Sequence, residues 1–130
     1  MLNKLQKLQN SAITTVICND TEIKGIVKSA NAIRIEGKIE GDIYCENEVF
    51  LGESSRLKGN IFSHEAVIAG EVIGDIETRA GLEITKTGRV YGNITGDRLL
   101  IEEGAIYKGK VNMVVIESRN DFEDKSEIRK

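Results

Sequence analysis

Six times along this chain two apolar residues flank a glycine at a spacing of two: Ile23–Val27, Ile39–Ile43, Leu57–Ile61, Val72–Ile76, Val90–Ile94 and Tyr107–Val111. The glycines are Gly25, Gly41, Gly59, Gly74, Gly92 and Gly109, and the steps between them are 16, 18, 15, 18 and 17 residues. A return at nearly constant spacing marks a repeat architecture, in which each unit buries its apolar face against its neighbours. It constrains this chain more than any other feature.

Each repeat holds a second station, an alternating apolar pair. The pairs read Ile33/Ile35, Val49/Leu51, Val67/Ala69, Leu82/Ile84 and Leu99/Ile101. A further glycine follows soon after each, at Gly37, Gly52, Gly70, Gly88 and Gly104. Alternation at a period of two predicts strands with one buried face, and the glycines punctuate them at bends. About three very short strands per repeat are expected, too short for an ordinary hairpin or sandwich. They become stable when every turn stacks on the next and the apolar side chains fill a tube. With aromatics at 5% and no tryptophan, the filling must be Ile, Val and Leu. The predicted fold is an all-β, single-domain β-helix (β-solenoid) of about six turns, roughly 29 Å long at ~4.8 Å per turn.

Two columns follow from stacking. Asp42, Asn60, Asp75 and Asn93 each follow a motif glycine, and short polar side chains there are expected to bond locally to the bending backbone. Ser29, Cys45, Ser63, Thr78, Gly96 and Met113 each lie two residues beyond the second apolar residue of the motif, where mostly small side chains suit a narrow corner. Cys45 then reads as a small buried thiol rather than a nucleophile.

Little in the sequence points to chemistry. The net charge of −3 offers no basic field for nucleic acid. Cys18, Cys45 and the single His64 lack the spacing of a zinc site, and no glycine run has the form of a nucleotide-binding loop. His64, alone near a corner, has no nucleophile motif beside it. No catalytic residue, metal or cofactor is expected. No apolar run is long enough to span a bilayer and none has the layout of a leader, so a cytoplasmic protein with reduced cysteines is expected. On the surface, Tyr44 with Phe62 and Phe50 with Ile68 are expected to form two exposed apolar pairs, which suit a partner patch or scattered surface residues.

The six apolar-x-Gly-x-(Ile/Val) repeats, each with its internal pair, resemble the bactofilins, bacterial cytoskeletal proteins; the likeness covers about residues 16–116. The resemblance implies a right-handed β-helix that polymerises end to end, without nucleotide, into filaments often held at the cytoplasmic face of the inner membrane. It implies scaffolding of cell-shape or envelope factors, including peptidoglycan enzymes, and self-association as the main partnership. An aromatic–apolar contact in the last turn supports family polymerisation; Tyr107 and Met113 occupy that region here. Physics agrees, because a solenoid ends in exposed strand edges and an open section of core. Candidate end contacts are Ile106, Tyr107, Val111, Met113 and Val115 at one end and Val16, Ile23, Ile26 and Val27 at the other.

Residues 117–130 are charged and read as a disordered tail. Residues 1–15 hold Leu2, Leu5 and Leu8 with Lys4 and Lys7 between them, which fits a short amphipathic membrane anchor, a cap or disorder. The rival class is a hexapeptide-repeat acyltransferase-like trimeric enzyme, also a β-helix. Steps of 15 to 18 break a strict six-residue register, and one histidine does not furnish such a site. An ice-binding solenoid lacks its Thr-x-Thr column.

Overall fold

The computed structural model describes residues 15–118, and the side chains of residues 15–112. The leucines and lysines of the first ten residues, the tail beyond 118, and the side chains of Met113 and Val115 lie outside the described residues. Among the described residues there are strands and turns and no helix, and every strand pairing is parallel. The chain winds into a β-solenoid of about six coils, as the repeat predicts.

Each coil has three sides. One is a six-stranded sheet of Glu22–Lys24, Lys38–Glu40, Arg56–Lys58, Glu71–Ile73, Arg89–Tyr91 and Ile106–Lys108. The other two belong to a nine-stranded sheet that begins with Thr15–Ile17, Val27–Ser29, Ile33–Ile35, Ile43–Cys45 and Glu48–Leu51. From the third coil on, the strands before and after one corner run together, as Ile61–Ile68, Ile76–Ile84, Ile94–Ile101 and Val111–Ser118. The expected three short strands per coil therefore become two, one of them long.

The motif glycines stack on one another at one corner. Gly74 has φ +147°, a region that L side chains avoid, and a Cβ added there would overlap the carbonyl oxygen of Gly59. The glycine N–H and that of the residue two further on both donate to the next coil, as Gly59 to Ile73 (3.0 Å) and Ile61 to Asp75 (2.9 Å). The N–H between them faces the preceding coil instead and is met there by a side chain. Asn60 N donates to Asp42 Oδ1 (3.0 Å), Asp75 N to Asn60 Oδ1 (2.9 Å), Asn93 N to Asp75 Oδ1 (2.9 Å) and Lys110 N to Asn93 Oδ1 (3.1 Å). The column bonds between coils rather than locally, which corrects the sequence expectation. Asn60→Leu should orphan the Asp75 N–H and cost about 1 kcal/mol, measurable as a lowered thermal midpoint. An unchanged midpoint would show that the ladder contributes nothing.

The uneven steps reduce to two corner choices. Between the second apolar pair and the six-stranded sheet, the corner is two residues in the first and third coils (Glu36–Gly37, Ala69–Gly70) and four in the others. The four-residue corners are β-turns closed by Ser55 N to Gly52 O, Gly88 N to Thr85 O and Ala105 N to Glu102 O. At the opposite corner the third coil is one residue shorter, since Tyr44 aligns with Phe62 but Glu48 with Glu65. The fifth coil is shortened likewise, with Glu77 opposite Thr95 but Gly81 opposite Arg98.

That single missing residue overturns one expectation. Val49 faces Ala66, Phe50 faces Val67 and Leu51 faces Ile68. The inward pair of the third coil is thus Ala66/Ile68 rather than Val67/Ala69, and Ile68 is fully buried, at 0% exposure. It belongs to the core and not to a surface patch, because a one-residue slip moves a side chain to the other face of its strand.

Candidate assembly ends and outer faces

The lumen is built from columns of apolar side chains, nearly all aliphatic. One runs Ile23, Ile39, Leu57, Val72, Val90, Tyr107; another runs Val27, Ile43, Ile61, Ile76, Ile94, Val111. Every interior member is at most 1% exposed. The end members Ile23, Val27, Tyr107 and Val111 pack on the core but stay only partly buried, and no further coil among the described residues covers them. The outermost strands of the six-stranded sheet, Glu22–Lys24 and Ile106–Lys108, each have one neighbour, so among the described residues one edge of each has no strand partner.

The residues expected at the ends divide into two sets. Ile23, Val27, Tyr107 and Val111 lie in the lumen section. Val16 (57% exposed), Ile26 (64%) and Ile106 (44%) stand on the flanks instead, in register with Arg34, at the head of the Asp/Asn column, and beside Arg89 respectively. Met113 and Val115 align with Gly96 and Arg98.

In the small-residue corner Cys45, Ser63 and Thr78 are buried, Ser29 and Gly96 are half-buried, and the side chain of Met113 lies outside the described residues. The Cys45 thiol donates to Asn31 O (3.3 Å) and accepts from Asn47 N (3.4 Å), and burial pushes its pKa up, so it is a poor thiolate. His64 is exposed and lies outside this arrangement.

On the outside, Tyr44 and Phe62 stack at 5.0 Å between ring centroids and 12° between planes. Lys28 Nζ lies 6.0 Å from the Tyr44 ring, and Arg34 lies 5.1 Å from the Phe50 ring while donating twice to Glu36 Oε2. A groove of about 930 Å³ runs along this side past Ile26, Lys28, Tyr44, Phe62 and Arg79. The predicted Tyr44/Phe62 pairing is present; Phe50 is paired with Val67 rather than Ile68.

The geometry defines the class: a parallel β-solenoid with a closed, largely aliphatic lumen and two ends whose core is only partly covered among the described residues. Comparison with known proteins places it more narrowly. Residues 15–112 match the family model described as "Bactofilin: Polymer-forming cytoskeletal". The chain belongs to the bactofilin family, polymer-forming cytoskeletal proteins. It is 31% identical over 99 residues to bactofilin BacO of Myxococcus xanthus (strain DK1622), covering 76% of this chain and 79% of BacO. It is 28% identical over 103 residues to bactofilin BacP of the same organism, covering 79% of this chain but only 43% of BacP. A crystal structure of a point mutant of the Thermus thermophilus bactofilin shares the fold, with TM-score 0.54 at 22% identity, covering 81% of this chain and 98% of that one.

Proposed function

We propose that this chain polymerises end to end, without nucleotide, into filaments that act as a scaffold at the cytoplasmic face of the inner membrane and localise cell-shape or envelope factors. The role is structural rather than catalytic. The observation that carries the reading is the contrast within two lumen columns, whose interior members are sealed inside the rod while Ile23, Val27, Tyr107 and Val111 at their ends are only partly covered among the described residues. A second copy seated on either end would cover those side chains and pair the open strand edges, so the force that stacks coils within one chain would also stack chains.

Tyr44, Phe50 and Phe62 form a candidate surface for an envelope partner, supported by the ring stack and the groove beside it. The N-terminal leucines and lysines remain a candidate anchor.

Negative-stain electron microscopy of the purified chain, without nucleotide or metal, tests the reading. Thin unbranched filaments are the expected result. Discrete trimers would overturn it in favour of an acyltransferase-type enzyme.

A further inference from the structure

The chain's net charge of −3 conceals a strong sidedness. The six-stranded sheet turns two rows outward. The first is Glu22, Lys38, Arg56, Glu71, Arg89, Ile106; the second is Lys24, Glu40, Lys58, Ile73, Tyr91, Lys108. Six cations against three carboxylates give this face a net charge of +3. The remaining described residues hold six cations and fourteen carboxylates, a net charge of −8. One face in three is basic on a rod that is otherwise strongly acidic.

The arrangement within that face matters as much as its sum. Glu71 engages both Arg56 (3.2 Å) and Arg89 (3.9 Å), and Lys24 approaches Glu40 (4.0 Å). Lys38, Lys58 and Lys108 are exposed and have no ion-pair partner among the described residues. Between Lys58 and Lys108 in the second row stand Ile73, 41% exposed, and the half-buried Tyr91; Ile106 closes the first row at 44%. Six parallel strands in register make this face a strip about 24 Å along the axis, at ~4.8 Å per strand.

We propose that this face lies against an anionic lipid bilayer. Free lysines flanking an exposed isoleucine and a half-buried tyrosine suit the polar–apolar boundary of a lipid surface. A nucleic-acid groove would instead call for a denser cationic row without intervening carboxylates. The acidic remainder is repelled by the same surface, so the field selects one rotational orientation as well as attracting the rod. A net charge of +3 binds weakly in one copy, and end-to-end repetition would multiply it. For that avidity, though not for the orientation, the inference rests on the polymer reading above.

Full-length protein would be sedimented with vesicles of phosphatidylcholine containing 30% phosphatidylglycerol and with pure phosphatidylcholine vesicles. Lys38→Glu with Lys58→Glu would be compared with Arg79→Glu with Lys86→Glu, which makes an equal charge change on the other sides. Micrographs of each variant without lipid score assembly separately, so failure to polymerise is distinguished from failure to bind. The expected result is binding to anionic vesicles alone, reduced at least tenfold by the first pair and less than threefold by the second. Absence of wild-type binding, equal losses in both pairs, or no loss in the first would overturn the proposal. Tighter binding to a duplex DNA at equal phosphate, abolished by the first pair, would overturn it in favour of nucleic acid. Loss of lateral bundling with vesicle binding unchanged would overturn it in favour of a second copy.

Discussion

Gly74→Ala is expected to unfold the solenoid or to lower its thermal midpoint by more than 10 °C. The substitution places a Cβ on the carbonyl oxygen of Gly59 and holds an L residue at φ +147°. Both atoms in that overlap are fixed by backbone pairing, so no rotamer relieves it, and the two coils must separate. The strained backbone alone costs about 1–3 kcal/mol. Steric separation adds to this and brings the total to a large share of the 5–15 kcal/mol that holds a typical domain together. Gly25→Ala is the informative companion. Gly25 has a similar φ of +137°, but among the described residues nothing lies within 4 Å of its missing Cβ. It should show the conformational cost without the overlap, so thermal circular dichroism should rank wild type above Gly25→Ala and Gly25→Ala well above Gly74→Ala. Equal midpoints for the two variants would show that the glycines are required by conformation and not by stacking.

Val111→Asp, tested with Val115→Asp, is the second large effect. Val111 ends a column whose interior members are sealed, and it is itself only partly covered. A carboxylate there must be desolvated by any copy that seats on this end, while in the single chain it can still reach water. A loss of 1.5–3 kcal/mol per buried aliphatic side chain, at about 1.4 kcal/mol per factor of ten, raises the concentration needed for assembly roughly ten- to a hundredfold. Sedimentation should therefore move from filaments toward single chains of 14.4 kDa or short oligomers, with the β signal retained. Exposed Asn112→Asp serves as the control. Filaments that persist in both valine variants would place the assembly contact elsewhere.

The coil repeat was readable because every interior position of a solenoid faces the same environment, and six glycines held at one positive φ leave one signature. The column at Asp42, Asn60, Asp75 and Asn93 was visible as a column, but its bonding direction was not. Whether a side chain reaches its own corner or the next coil depends on which way a peptide N–H points. Residues Ala66-Val67-Ile68-Ala69 are all apolar, so alternation there carries no phase, and the missing residue that reversed Ile68 lay several positions earlier. At the ends, composition grouped Val16, Ile26 and Ile106 with Ile23 and Val111, since apolar character does not reveal facing. Only the register separates those that line the lumen from those on the flank. The basic face was present in triplets such as Lys38-Ile39-Glu40 and Arg56-Leu57-Lys58, yet summing charge along the chain cancels what stacking collects on one side.

The two variable corners have a consequence for how such a chain changes over generations. Coil height is set by hydrogen bonds between neighbouring turns, whereas chain length per coil is free to differ by two residues at one corner and one at the other. Insertions and deletions confined to those places leave the lumen aligned and go largely unpunished. Descendants can therefore drift out of any fixed sequence period while keeping the same rod, and a search that assumes constant repeat length will lose them long before the architecture is lost.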